Sequence, residues 1–125
     1  MDYVIRPQIE IHLTDEDIDD IMATALDCGI SYWCGEAEVV GGEYHGEWAS
    51  DEISRGGELR LYDAESDDVW TLNLEKFLKG FQMWVEGGYA KDALEENGKI
   101  DTGMIDAIAA DLIVQFAVFG EIVFG

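Results

Sequence analysis

The sequence predicts an α+β fold, a small antiparallel sheet packed with about three helices, in a single domain spanning residues 1–125. Three observations carry this expectation. Two segments repeat apolar residues at helical spacing behind a capping residue: Thr14 precedes Ile18, Ile21, Met22, Ala25 and Leu26, and Asn73 precedes Leu74, Phe77, Leu78, Phe81, Trp84 and Val85. Leu59 and Leu61, then Val69 and Thr71, flank the turn-rich segment DAESDD and read as a hairpin. A last run, from about Gly103 to Phe119, is apolar almost all round apart from Asp106, Asp111 and Gln115, which places that helix centrally in a core or in an oligomer contact. With no internal repeat and no Ser/Pro-rich linker in 125 residues, one domain is expected.

In chain order, Val4 to Leu13 ends in an alternation, Ile9, Ile11 and Leu13 against Glu10 and His12, that predicts a strand with one buried face. Pro7 keeps the start of that strand at an edge or outside the ladder. Thr14 reads as an N-cap, with Asp15, Glu16 and Asp17 in the first turn, where the helix dipole favours carboxylates. Gly29 reads as the residue that stops this helix. In the glycine-rich stretch that follows, Tyr32–Cys34 and Ala37–Val40 suggest short strands, Ser50–Ile53 a helical turn, and residues 41–57 an ordered loop region. After the hairpin with its acidic tip, Gly87-Gly88 ends the second helix, YAKDALEENGK holds a helical turn, and Asp101 or Thr102 caps the last helix.

Charge narrows the function. There are 28 Asp and Glu against 7 Lys and Arg, a formal net charge of −21 and a sequence pI of about 4.1. The 48% hydrophobic and 11% aromatic content excludes a disordered acidic tail. Direct binding to DNA, RNA or anionic lipid is disfavoured, because there is almost no cationic surface to displace counterions. A monomer of 13.9 kDa exposes ~6,700 Å², one net charge per ~320 Å², about threefold sparser than the ~110 Å² per charge of duplex DNA. Mimicry of a nucleic acid therefore needs clustering. The sequence offers two dense clusters, Asp15, Glu16, Asp17, Asp19, Asp20 and Asp63, Glu65, Asp67, Asp68, with smaller groups at Glu36/Glu38/Glu43/Glu47 and Asp92/Glu95/Glu96. Such crowding repels itself unless a cationic partner or a salt-rich solvent offsets it; the alternative is a solvated face that keeps the chain soluble.

Other chemistries find little support. Asp15, Asp17 and Asp19 open like a calcium loop, but Asp20 stands where the turn glycine belongs and Leu26 where the closing Glu belongs. His12, Cys28, Cys34 and His45 lack zinc-ligand spacing, and the two cysteines read as reduced thiols. No nucleophile elbow, P-loop, dinucleotide fingerprint or H-E-x-x-H occurs, so no enzyme, metal or cofactor is expected. The segment Arg55-Gly56-Gly57 with Arg60, taken with Tyr32, Trp33, Tyr44 and Trp48, could hold a small phosphorylated nucleotide; the competing reading pairs Arg55 and Arg60 with nearby carboxylates. The C-terminal set Phe116, Phe119, Ile122, Val123 and Phe124 suggests a homo-oligomer contact.

At TDEDIDDIMATAL, GISYWCG, SDEISRGGELRLYDAE and GMIDAIAADLIVQFAVFGEIVFG, the chain resembles small acidic proteins from phages and integrated mobile elements of gut bacteria, over most of residues 13–125. That group has no assigned activity and carries over no catalytic residues. The resemblance implies a setting, the cargo of a mobile element acting in the bacterial cytoplasm, where small acidic proteins are often counter-defence factors, anti-CRISPR proteins among them.

The expectation is a non-enzymatic inhibitor of a host nucleic-acid-targeting defence complex. Its partner is a host protein with a basic nucleic-acid-binding groove, for which CRISPR effectors with their positively charged channels are natural candidates. The expected contacts are Asp15, Glu16, Asp19, Asp20, Asp63, Glu65, Asp67 and Asp68; no membrane and no direct nucleic-acid partner is expected. The alternatives are a nucleotide sponge using Tyr32, Trp33, Arg55, Gly56, Gly57 and Arg60, and an oligomeric accessory protein with a solvated acidic surface.

Overall fold

The computed structural model describes residues 1–5 and 9–125. Thr14 caps helix α1 (Asp15–Thr24) in a reciprocal capping box: its hydroxyl accepts from the Asp17 amide at 3.0 Å, and the Asp17 carboxylate accepts from the Thr14 amide at 3.1 Å. The helix then widens into a π-helical turn, Ala25–Gly29, closed by the Ile30 amide on the Ala25 carbonyl at 2.9 Å. Gly29 does not end the helix in a left-handed conformation, as the sequence suggests. It allows close approach: a Cβ there would lie 2.9 Å from the Ala107 carbonyl oxygen.

Strands β1 (Cys34–Val39), β2 (Leu59–Asp63) and β3 (Val69–Leu72) form an antiparallel sheet in the order β1-β2-β3. The two short strands expected before the loop are one strand with a register shift between Cys34 and Glu36, while Tyr32 and Trp33 lie in the turn before it. Leu59, Leu61 and Leu72 are fully buried on the inner face, with Ala37 opposite Leu61 and Val39 opposite Leu59. Glu36, Glu38, Arg60, Tyr62, Val69 and Thr71 alternate onto the outer face, as the period of two requires. A short 3-10 turn, Ala49–Asp51, interrupts the loop between β1 and β2.

Helix α2 (Leu74–Glu86) is capped by the Asn73 side chain, which accepts from the Lys76 amide at 2.9 Å, and buries Phe77, Phe81 and Trp84. Helix α3 (Ala107–Phe119) begins later than the sequence suggests. Asp101 caps only a 3-10 turn (Thr102–Met104); Ile105 then extends into the core, and Asp106 restarts the helix by accepting from the Ala109 amide at 2.8 Å. Helix α3 is central, packing on α1, the π-helical turn, α2 and β3.

The strand expected to end at Leu13 does not form over residues 9–13. Around residues 9–13 the backbone makes one isolated bridge, His12 to Lys99, with the His12 amide on the Gly98 carbonyl at 2.8 Å. Ile9 is exposed, and Ile11 and Leu13 only half-buried, because this segment meets the 98–99 turn rather than a sheet edge. The role expected of Pro7 lies outside the described residues. Among the described residues, no helix is long and apolar enough to cross a membrane.

Candidate functional site

The first acidic cluster stands at the start of α1. Asp15 and Glu16 are exposed, whereas Asp19 accepts from the Ser54 hydroxyl at 2.5 Å and Asp20 from the Thr102 hydroxyl at 3.0 Å. These two carboxylates tie α1 to its neighbours. The second cluster is the hairpin tip. The Asp63 carboxylate accepts from the Glu65 amide at 3.0 Å and the Ser66 hydroxyl at 2.7 Å, and these two bonds hold its carboxyl below the usual range. Glu65, Asp67 and Asp68 stand exposed beyond it.

The clusters do not share one patch. The tip adjoins Trp33, whose carbonyl accepts from the Ala64 amide at 2.8 Å, just past the far end of the first helix. At about 1.5 Å per residue, that helix carries the chain roughly 20 Å from Asp15 to Gly29. Among the described residues, no lysine or arginine forms an ion pair with either cluster. Among the described residues, only Arg60 of the lysines and arginines forms an ion pair, with Glu38 at 3.0 Å across β1 and β2. Tyr62 donates to the same Glu38 oxygen at 2.9 Å. The Lys76 ammonium instead donates to the Thr71 carbonyl and hydroxyl.

The residues considered for a phosphorylated nucleotide are dispersed. Trp33 is buried and its indole N–H donates to Asp111 at 2.8 Å. Tyr32 donates to the other Asp111 oxygen at 2.5 Å. Both precede Cys34, which pairs with Asp63, whereas Arg55, Gly56 and Gly57 lie beyond the opposite end of the sheet, where Val39 pairs with Leu59. Arg60 is engaged by Glu38 on the outer face. Gly57 is buried against Glu52 and His45, where a Cβ would sit 3.2 Å from the His45 Nδ1. Of the residues weighed as zinc ligands, Cys28 is exposed and Cys34 buried, its thiol raised by burial. Among the described residues, no three metal-ligating side chains gather.

Two buried polar arrangements escaped the sequence reading. Asp111 and Gln115, one helical turn apart on α3, form a network in the core. Besides the Tyr32 and Trp33 bonds, Gln115 donates to Asp111 at 2.9 Å, and its carbonyl accepts from the Val123 and Phe124 amides, both at 2.8 Å. This latches the C-terminal tail. Phe124 thereby stacks on Trp33 with centroids 5.2 Å apart, and Phe119 packs on Trp70 at 4.9 Å. Much of the C-terminal aromatic set is thus used within the chain, while Ile122 and Val123 remain exposed.

The second arrangement is Glu52, which has no exposed surface. Its carboxylate accepts from the His45 amide at 2.7 Å, the Gly46 amide at 3.2 Å and the His45 Nδ1 at 2.9 Å. Burial pushes the Glu52 carboxyl up, but the His45 ring and the two amides outweigh it and hold the group below its ordinary 4.5. Glu52 therefore stabilises the folded loop above that value, and its contribution is lost as pH falls through the depressed folded value. Replacing Glu52 with Gln should cost about 2 kcal/mol and speed hydrogen exchange at the His45 and Gly46 amides at neutral pH. Unchanged exchange at these two amides would show that the carboxylate does not hold the loop.

Comparison with protein-family models, with curated proteins and with solved structures finds no match to this chain.

Proposed function

We propose that this protein is a non-enzymatic inhibitor, of the anti-CRISPR kind, whose exposed carboxylates occupy the basic nucleic-acid-binding groove of a host defence protein. One observation carries the reading: among the described residues, no lysine or arginine pairs with the carboxylates at the start of α1 or on the hairpin tip, the one in an ion pair being Arg60 on the sheet face. Twenty-one net charges over 7871 Å² leave roughly one per 375 Å², so self-repulsion is a standing cost that a cationic partner would relieve. Asp15, Glu16, Glu65, Asp67 and Asp68 are the contacts free to engage; Asp19, Asp20 and Asp63 brace the surfaces that present them.

The dispersal of Tyr32, Trp33, Arg55, Gly56, Gly57 and Arg60 weighs against the nucleotide-sponge alternative. The reading is tested by capture from bacterial lysate at about 0.05 M and about 0.5 M salt, followed by elution with nucleic acid. A nucleic-acid-binding protein held at low salt, lost at high salt and released by oligonucleotide is the expected result. Capture of nothing at either salt, or of a partner that nucleic acid does not displace, would refute it.

A further inference from the structure

A shallow hollow of about 480 Å³ opens between the end of α1 and the 3-10 turn. Its walls join apolar Ala23, Leu26 and Ala49 with Thr24 and Ser50, and one side is Trp48, 63% exposed. Asp27 lines its rim, and exposed Glu47 adjoins Trp48 in the chain. Among the described residues, neither carboxylate is ion-paired. Large exposed indoles are unusual on a highly charged surface, and this one stands on a braced loop. The Asp51 amide donates to the Trp48 carbonyl at 3.1 Å, and buried Glu52 anchors residues 45 and 46. The opposite wall is the π-helical turn that carries Leu26 and Asp27, and such turns recur at functional sites.

We infer that this hollow is a socket for an arginine side chain of the cationic partner, an inference that rests on the function proposed above. The charge is complementary: an aromatic face with the Asp27 carboxylate on its rim and exposed Glu47 beside Trp48 in the chain, while Arg55, which lies against Gly46, does not line the hollow. A guanidinium stacks flat on an indole while its N–H fork still reaches carboxylates, whereas a lysine ammonium, a strongly hydrated point charge, gains less from the ring. The socket thus adds to the diffuse carboxylate field a point of discrimination between arginine and lysine, and an aromatic anchor of the type that dominates protein interfaces.

The test compares octa-arginine with octa-lysine by calorimetry and tryptophan emission at low salt. Trp33 and Trp84 are buried and Trp70 half-buried, so quenching by peptide reports chiefly on Trp48. Octa-arginine should bind about 3- to 10-fold more tightly than octa-lysine and quench emission. Trp48→Ala should abolish both the preference and the quenching while leaving octa-lysine affinity within about twofold, and Trp48→Phe should retain part of the preference. Asp27→Asn with Glu47→Gln should weaken octa-arginine more than the equal charge loss of Glu95→Gln with Glu96→Gln. Equal affinities for the two peptides, with no effect of Trp48→Ala, would overturn the socket and leave the carboxylate reading standing. Binding of neither peptide would remove the carboxylate reading and the socket with it.

Discussion

Replacing Gly80 with alanine will destabilise the protein by about 3 kcal/mol or more, with a fall in melting temperature of about 10 °C. The expectation reverses the usual sign, since Gly→Ala inside a helix ordinarily stabilises by about 1 kcal/mol. Gly80 is buried in the middle of α2, where it meets Ala117 of α3. A Cβ at position 80 would collide with the Ala117 backbone as well as its methyl group, and the nearest atoms belong to helix backbone that cannot swing aside. The two helices must separate, which opens the packing of Phe77, Phe81 and Ile113. Calorimetric unfolding of Gly80→Ala beside the parent checks this. A Gly80 variant as stable as the parent would mean that α2 and α3 are not in this contact.

Replacing Asp111 with leucine will have a comparable effect. The leucine leaves the Trp33 indole N–H and the Tyr32 hydroxyl without their acceptor and takes one acceptor from the Gln115 amide, which keeps the Phe124 carbonyl at 3.1 Å. At ~1–3 kcal/mol for a buried donor left unpaired, with Tyr32 able to turn to water, about 2–3 kcal/mol is expected. Loosening of Gln115 should also release the tail, raising exchange at the Val123 and Phe124 amides. The network has a pH signature. Desolvation, then the hydrogen bond to Asp111 and its charge, raises the Tyr32 phenol from 10.0 to about 12. Because the folded value is the higher, Tyr32 contributes stability that is complete below the unfolded value and lost as pH rises through the folded one. A spectrophotometric titration against Tyr32→Phe should show the shifted phenol, and Asp111→Asn should return it toward the ordinary value. A phenol that titrates normally in the parent would contradict the network.

How much of this was legible in the sequence depends on how local the governing physics is. The caps at Thr14 and Asn73, the amphipathic stripe of α2 and the alternation of Leu59 and Leu61 are set within a few residues, and each appears where its pattern places it. Residues 9–13 alternate equally well, yet form no strand, because a ladder needs an adjacent edge and the nearest backbone is the 98–99 turn. Asp106 was visible as a polar interruption, but its role as the cap of α3 depends on Ile105 being drawn into the core. Asp111 and Gln115 carried a faint signal, two polar residues a turn apart in an otherwise apolar helix; their partners at residues 32, 33, 123 and 124 depend on tertiary structure. Glu52 carried none, being one acid among 28. The acidic runs were plain to read, but their placement at opposite ends of the first helical run follows only once α1 and the hairpin are placed.

The most direct measurement is the affinity of the protein for its captured partner as salt is raised from about 0.1 M to about 0.5 M. It is made for the parent and for a variant carrying Asp15→Asn, Glu16→Gln, Glu65→Gln, Asp67→Asn and Asp68→Asn, which spares the carboxylates that brace the fold. Ion pairing at these groups predicts that log K falls steeply with log salt for the parent, and that the variant binds at least ~10-fold more weakly at low salt with a shallower slope. An affinity indifferent to salt, or equal in parent and variant, would contradict it.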